Sequence, residues 1–194
     1  MQIVHINGSP RKGGMSATIG SQFIDALKND FDKVLEYHLN SLSMRGCQEC
    51  FACRDKKSDR CYIQDGLSDL LEETKKTDIV VVSTPVFYGD ISAQLKNFVD
   101  RTWSYFGRGG FSAEHLPRNR TLVFILSYGY KDPHVYDDLF DKYRKYFAMF
   151  GFNHAYFIKG YGAEHHTPEI VNRKEVDVEI PEIARLIRNH YSQE

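Results

Sequence analysis

Short apolar runs alternate with amphipathic stretches along the chain. The short runs predict strands, whereas apolar residues three or four positions apart predict helices. The predicted strands are residues 3–7, 33–38, 79–82, 122–126 and 155–158. The first predicted helix begins near residue 19. The other four predicted helices cover residues 65–77, 91–103, 135–150 and 181–190. Because strands and helices alternate, we expect an α/β fold, a three-layer sandwich with a five-stranded parallel sheet.

The segment after the first predicted strand combines turn residues, hydroxyls and cationic side chains. Asn7-Gly8-Ser9-Pro10 favours a turn, Arg11 and Lys12 follow, and Ser16 or Thr18 can cap the next helix. A turn that leads into a helix N-terminus offers free backbone N–H groups to an anion. The glycine spacing matches neither the NTP-binding loop nor the dinucleotide motif. We therefore expect a ligand with one terminal phosphate; a turn that binds nothing is the alternative.

Three turns are expected to meet at one edge of the sheet. With the strand order 2-1-3-4-5, ligands bind outside the carboxyl ends of the strands, at the switch point between strands 1 and 3. The turns at Ser9, Pro85 and Ser127 all leave that edge. Aromatic side chains in the second and third turns can pack on a planar ring. These are Phe87, Tyr88, Tyr128 and Tyr130, whose alternative role is ordinary core and surface packing.

All four cysteines lie in one loop, residues 43–62. They are Cys47, Cys50, Cys53 and Cys61. In a reducing compartment such a group indicates metal or redox chemistry rather than disulfides. A structural zinc ion is usually bound by two cysteine pairs that are well separated in the sequence. Three thiols that are each separated by two residues instead suit the corners of one iron–sulfur cube. Free thiols and a zinc ion are the alternatives.

Length, charge and hydropathy exclude several classes of protein. With 194 residues, 42% of them hydrophobic, the chain can bury a full core, and we expect one domain over residues 1–194. The net charge is close to zero, with 25 basic and 26 acidic side chains, and the basic residues form no long run in the sequence. This argues against nucleic acid and membrane surfaces as partners. The longest apolar runs are too short to span a membrane, and no signal-peptide pattern is present. We expect a cytoplasmic protein.

Four short segments carry a resemblance to a known family. They are Gly8-Ser9-Pro10-Arg11-Lys12, Thr84-Pro85-Val86-Phe87-Tyr88-Gly89-Asp90, Ser92-Ala93-Gln94-Leu95-Lys96 and Asp100-Arg101. In this order they resemble the NADPH-dependent FMN reductase family of the flavodoxin-like superfamily. The resemblance implies FMN, with its phosphate on the first turn and its isoalloxazine on the other two. The implied contacts are Ser9, Arg11, Ser16 and Thr18, then Pro85, Val86, Phe87, Tyr88 and Gly89, then Ser127, Tyr128 and Gly129.

The cysteine spacing resembles that of the iron–sulfur flavoproteins, a branch of the same family with one [4Fe–4S] cluster beside FMN. This implies Cys47, Cys50, Cys53 and Cys61 as cluster ligands. It also implies an enzyme that moves electrons from NAD(P)H or a ferredoxin-like donor through FMN to a small acceptor, with no catalytic side chain required. Because relatives form dimers or tetramers, we expect a homodimer or homotetramer.

Three alternative functions stay open at this point. The chain could be an FMN or quinone reductase whose cysteine loop holds no cluster. It could be a redox-sensing flavin or metal-binding module without turnover, or an interaction protein of the same fold with neither cofactor. His5, inside the first strand, is expected to be a hydrogen-bonded core residue rather than a ligand.

Overall fold

The computed structural model describes residues 1–30, 32–54, 60–106, 113–163 and 169–192. In chain order its strands are β1 (Gln2–Asn7), β2 (Lys33–His38), β3 (Ile79–Phe87), β4 (Asp90–Ile91), β5 (Thr121–Tyr128) and β6 (His154–Tyr161). Five of them form a parallel sheet in the order β2-β1-β3-β5-β6. This confirms the predicted sheet of order 2-1-3-4-5. The short strand β4, which pairs antiparallel with β3, was not predicted.

Helices cover both faces of the sheet. They are α1 (Met15–Leu27), α2 (Ser68–Lys76), α3 (Ala93–Arg101), α4 (Asp137–Met149) and α5 (Arg173–Tyr191). Helices α1 and α5 pack together on one face, and α2, α3 and α4 contribute to the core on the other. The three-layer α/β sandwich is therefore confirmed. None of the helices in the described ranges has the length and apolar content that a bilayer crossing requires.

The uninterrupted apolar run of β3 is explained by its burial on both faces. Val80 and Val82 point into the core beneath α2, α3 and α4, whereas Ile79 and Val81 point into the core beneath α1 and α5. All four side chains are fully buried. A strand covered on both sides has no solvent face to mark with polar residues, so its sequence shows no alternation.

Helix α1 begins earlier than the apolar spacing predicted. Its N-cap is Gly14, which provides no side-chain hydrogen bond, so the prediction that Ser16 or Thr18 caps the helix was wrong. Both residues lie inside the first turns of α1. The start is set by burial, because Met15 and Ile19 belong to the core between α1 and the sheet, and Ala17 is buried as well.

Helix α5 also begins earlier than predicted, at Arg173 rather than at Pro181. One continuous buried stripe runs along α5 on both sides of Pro181. It consists of Val176, Ile180, Ala184 and Ile187. An interior proline removes one helical hydrogen bond. Burial of the stripe outweighs that loss, and the helix continues.

Candidate functional site

The sheet register brings the three turns to one edge. Asn7 at the end of β1 pairs with Ser83, and Pro85 near the end of β3 pairs with Ser127. The backbone N–H of Gly8 donates to the carbonyl of Ser83 at 2.8 Å, which continues the β1–β3 pairing into the first turn. The carboxyl ends of β1, β3 and β5 therefore form a single crevice, as expected for a ligand site in this topology.

Ser92 connects the first turn to the second. Its Oγ donates to the carbonyl of Gly8 at 2.7 Å and accepts the backbone N–H of Leu95 at 3.2 Å, so it also caps helix α3. Its own N–H donates to Thr84 Oγ1 at 3.2 Å. A Cβ at Gly8 would lie 2.9 Å from Leu95 Cβ, so a larger residue does not fit there. The sequence reasoning gave Ser92 no role, although a serine directly before a helix is a typical N-cap signal.

Ser9 holds the first turn together. Its buried hydroxyl donates to the carbonyl of Arg11 at 2.9 Å and accepts the Arg11 N–H at 3.2 Å. Its backbone N–H donates to Asn7 Oδ1 at 2.9 Å. Gly14 closes over it, since a Cβ there would approach Ser9 Oγ to 2.6 Å. A hydroxyl has one proton to donate, and Ser9 uses it inside the turn.

The hydroxyl of Ser16, unlike that of Ser9, forms no hydrogen bond with the described residues. Its side chain is 1% exposed, and its Oγ has no hydrogen-bond partner among the described residues. It lies in the first turn of α1, where helix N–H groups also lack intrahelical acceptors. Arg11 and Lys12, in the turn that precedes the helix, are exposed, and Thr18 is half-buried. These groups could hold an anion such as a terminal phosphate.

The second turn is a tight hairpin between β3 and β4. Tyr88 and Gly89 both have positive φ, 51° and 84°, which is typical of a two-residue type I′ turn. A tyrosine in this conformation is strained, and its side chain is fully exposed. Asp90 anchors the hairpin to α4, because its carboxylate accepts Lys142 Nζ at 2.7 Å and the Tyr143 hydroxyl at 2.8 Å. Burial opposes the charge of Asp90, but these hydrogen bonds outweigh it and lower its pKa.

A cleft of about 910 Å³ opens between the second and third turns. It is lined by Val86, Tyr88, Gly89, Tyr128, Gly129, Tyr130, Tyr136 and Ala163. Tyr128 is fixed at its base, with its hydroxyl donating to the carbonyl of Pro133 at 3.1 Å and its ring edge-on to Tyr136. Burial raises the pKa of Tyr128 to about 12, so its hydroxyl stays neutral. The size and aromatic walls suit a planar organic ligand.

Some candidate residues lie away from this cleft. Phe87 is half exposed and does not line it. Pro85 and Ser127 lie within strands β3 and β5 and not in turns, which corrects the predicted starts of both turns. Both strands extend beyond their apolar runs through buried polar residues, which are Ser83 and Thr84 in β3 and Ser127 in β5.

The four cysteines line one cavity of about 310 Å³. Cys47 and Cys50 are exposed, whereas Cys53 and Cys61 are half-buried. Burial raises the pKa of the Cys53 thiol, and the neighbouring Cys61 adds to the effect. Within the described ranges, no three His, Cys, Asp or Glu side chains converge as a ready metal site. The thiols thus share a cavity without meeting at one point.

The backbone of the cysteine loop is bent on both sides of Cys50. Glu49 and Phe51 have φ values of 51° and 55°. Bulky residues adopt this conformation only where the surroundings impose it, and such strain is common at functional sites. Residues 55–59 of the predicted loop lie outside the described ranges.

His5 is buried and forms hydrogen bonds with the buried Ser83 and with Glu36, whose side chain is exposed. Its Nε2 lies 2.9 Å from Ser83 Oγ, and its Nδ1 lies 3.2 Å from the Glu36 carboxylate. The order resembles a serine-hydrolase triad, but Ser83 is fully buried in the sheet and His5 is 1% exposed. A substrate cannot reach that hydroxyl. The expectation that His5 is a hydrogen-bonded core residue is confirmed.

Solved structures define the fold class. The NAD(P)H:quinone oxidoreductase from Methanothermobacter marburgensis superposes with a TM-score of 0.74 at 14% identity, over 96% of each chain. The FMN-dependent NADH-azoreductase from Bacillus anthracis, solved in complex with FMN, gives a TM-score of 0.69 at 15% identity, over 96% of this chain and 98% of that one. The protein has the flavodoxin-like fold.

Sequence comparison identifies the family. The profile of the NADPH-dependent FMN reductases matches residues 1–163, and the chain belongs to this family. The iron-sulfur flavoprotein of Methanosarcina thermophila is 32% identical over 102 residues, 53% of this chain and 52% of that protein. An iron-sulfur flavoprotein of Archaeoglobus fulgidus is 31% identical over 105 residues, 54% of this chain and 47% of that protein. The chain thus spans about half the length of these relatives.

Proposed function

We propose that the protein is an FMN-dependent oxidoreductase that takes electrons from NAD(P)H and passes them to a small acceptor. The observation that carries the proposal is the buried hydroxyl of Ser16, which has no hydrogen-bond partner among the described residues and follows a turn that carries the cationic residues Arg11 and Lys12. A buried hydroxyl without a partner destabilises a protein, and a phosphate oxygen would supply the missing acceptor. Membership of the FMN reductase family supports FMN as the source of that phosphate.

The cleft between the second and third turns suits the isoalloxazine ring. Its aromatic walls offer stacking surfaces, and the hairpin turn at Gly89 leaves one side open. Backbone N–H groups at Tyr88 and Gly89 would stabilise negative charge on a reduced ring. When bound, the flavin supplies the electron-transfer chemistry, and the protein binds and orients it. We propose that Ser16, Arg11 and Thr18 bind the phosphate. Ser9 instead holds the conformation of the turn through its hydrogen bonds to Asn7 and Arg11.

NAD(P)H as the donor is supported by the family description and by the names of the structural neighbours. The same neighbours suggest a quinone or azo compound as the acceptor. A ferredoxin-like donor is the alternative.

The cofactor test is direct. We expect heat-denatured protein to release one FMN per chain, identified by mass spectrometry, and apoprotein to bind added FMN stoichiometrically. Recovery of FAD, or no binding with excess FMN, would contradict the proposal. Protein that binds FMN but transfers electrons to quinone, azo or flavin acceptors neither from NADH or NADPH nor from a ferredoxin-like donor would instead be a redox-sensing module.

We further propose that Cys47, Cys50, Cys53 and Cys61 hold a [4Fe–4S] cluster. Their shared cavity of about 310 Å³ has the volume of roughly ten water molecules, more than a single zinc ion needs. Another feature of this cavity supports an anionic occupant: Arg101 lines it, and its buried Nε has no partner among the described residues. The strained residues on both sides of Cys50 fit a loop shaped to wrap a ligand.

Anaerobic reconstitution with iron and sulfide tests the cluster. We expect about four iron and four sulfide ions per chain and broad absorbance beyond the flavin bands. Cys50→Ala should lose both while keeping FMN. Stoichiometric zinc on the same cysteines, or no sulfide-dependent absorbance, would favour an FMN or quinone reductase with a structural loop.

The remaining proposals concern the whole protein. We infer that residues 1–194 form one FMN-binding domain that acts as a homodimer or homotetramer in the cytoplasm, where thiols stay reduced. Light scattering on the FMN-loaded protein measures the oligomeric state, and a monomer would contradict it.

A further inference from the structure

The guanidinium of Arg101 contacts both ends of the cysteine loop. Its Nη2 donates to the carbonyl of Ile63 at 2.7 Å, and its Nη1 donates to Asp65 Oδ1 at 2.6 Å and to the carbonyl of Arg45 at 3.3 Å. Asp65 closes the connection, since its Oδ2 accepts the Arg45 N–H at 2.8 Å. Together these contacts join the chain before Cys47 to the chain after Cys61.

The same side chain faces the cysteine cavity. Arg101 is 1% exposed, lines the cavity and keeps a buried Nε–H without a partner in the described part of the chain. A guanidinium stays protonated at neutral pH, so the positive charge of Arg101 is fixed. A fixed positive charge therefore lies in the wall of the cavity that Cys61 also lines, with an N–H that has no acceptor among the described residues.

Helix α3 links this cavity to the flavin turns. Ser92, which ties the first turn to the second, caps the helix at one end, and Arg101 is its last residue. Nine helical residues span about 14 Å. One rigid element thus fixes the cysteine loop relative to the proposed flavin site.

We propose that Arg101 is a positioning residue for the iron–sulfur site, which holds the cysteine loop closed and offers a cationic donor to the cluster sulfurs. The inference rests on the cluster proposed above. Tying the ends of a loop removes much of the entropy that its ligands would otherwise lose on binding. Hydrogen bonds to the sulfurs and nearby charge tune a cluster's reduction potential, and a cationic donor raises it.

The chain offers a matched control. Arg120 is also buried, at 3% exposure, and donates to backbone carbonyls of Thr74 and Phe150, with its guanidinium 4.0 Å from the Phe152 ring centroid. It does not line the cysteine cavity. Loss of Arg120 therefore reports what a buried arginine contributes to folding alone.

The experiment compares wild type, Arg101→Gln, Arg101→Lys and Arg120→Gln after anaerobic reconstitution with iron and sulfide. For Arg101→Gln we expect cluster loss to a chelator about 10–100-fold faster and a lower cluster midpoint potential, with FMN affinity unchanged. Arg101→Lys keeps the positive charge but loses the several donors of the guanidinium group. The cluster midpoint potential of this variant should therefore be closer to the wild-type value than its rate of cluster loss. Arg120→Gln should lower thermal stability and leave both cluster properties unchanged.

The outcomes separate the two claims. Wild-type protein that takes up no cluster overturns the cluster and the role of Arg101 together. If wild type takes up a cluster, and Arg101→Gln retains it with the same rate and potential, the cluster stands and the positioning role is wrong. Equal effects of Arg101→Gln and Arg120→Gln would show general destabilisation and would also overturn the role.

Discussion

The hydroxyl of Ser92 donates to the carbonyl of Gly8 at 2.7 Å, across 84 positions of sequence. This contact joins the two turns that the proposed site assigns to the phosphate and to the isoalloxazine. Both groups are buried, so no water competes for the bond. Ser92, which contacts no ligand in our proposal, therefore adds to the β1–β3 pairing in fixing the relative position of the two halves of the flavin site.

Ser92→Ala should separate the two turns. The Gly8 carbonyl would lose its partner and α3 its cap, so we expect the free energy of unfolding to fall by about 1–3 kcal/mol, measured by urea denaturation. FMN affinity should fall as well. Ser192→Ala is the control, because that exposed hydroxyl also donates to a carbonyl, at 2.8 Å, but far from the site. Equal stability of the two variants would mean that the Ser92 bond contributes little.

Ser16→Ala should have opposite effects on the two forms of the protein. FMN binding should weaken by about 1.5–3 kcal/mol if the hydroxyl bonds the phosphate. The flavin-free protein should be as stable as wild type or more so, since the variant removes a buried hydroxyl that has no partner among the described residues. Isothermal titration and thermal melts measure the two quantities. Unchanged FMN affinity would remove Ser16 from the site.

Arg11→Ala should weaken FMN binding by about 1.5–3 kcal/mol, the range of a charge-assisted hydrogen bond. Folding should be nearly unaffected, because the side chain is exposed. Lys12→Ala, which removes a neighbouring exposed charge, should act weakly and mainly at low salt. If flavin titrations give the same dissociation constant for wild type and Arg11→Ala, the phosphate lies elsewhere.

The Asp90 carboxylate should make the stability of the hairpin pH-dependent. Its pKa in the folded protein lies below the ordinary value of 3.8, so its contribution is present above that pH and is lost as pH falls through the folded value. Asp90→Asn should therefore destabilise the protein at neutral pH, and the difference from wild type should shrink in acid.

Lys142→Met removes one partner of Asp90 and should act in the same direction. Lys145→Met, on the exposed face of the same helix, is its control. Urea unfolding across the acid range is the measurement. A difference between wild type and Asp90→Asn that does not change with pH would show that the ion pair contributes nothing.

Local sequence patterns predicted the sheet order and the convergence of the three turns, because both follow from strand alternation and right-handed crossovers. They missed β4, since a type I′ turn is usually signalled by Asn-Gly or Asp-Gly, whereas here Tyr88-Gly89 forms it. They also misplaced the start of α5, because a proline usually ends a helical pattern, whereas the buried stripe of α5 continues past Pro181.

The supporting contacts of the site were beyond sequence reasoning for a different reason. Arg101 and Asp65 are 36 positions apart, and Ser92 and Gly8 are still farther apart. Neither pair belongs to a local pattern, and each forms only when α3 packs against the sheet. Residues that would touch a ligand lie in recognisable turns, whereas residues that position those turns are set by tertiary packing.

Anaerobic titration of the FMN-loaded protein with NADPH, followed by its visible spectrum, tests the central claim most directly. We expect the flavin absorbance to bleach with about one NADPH per FMN, because a hydride carries the two electrons that the flavin accepts. Addition of a quinone should restore the absorbance. A bound flavin that stays oxidised with excess NADPH and NADH would contradict the account.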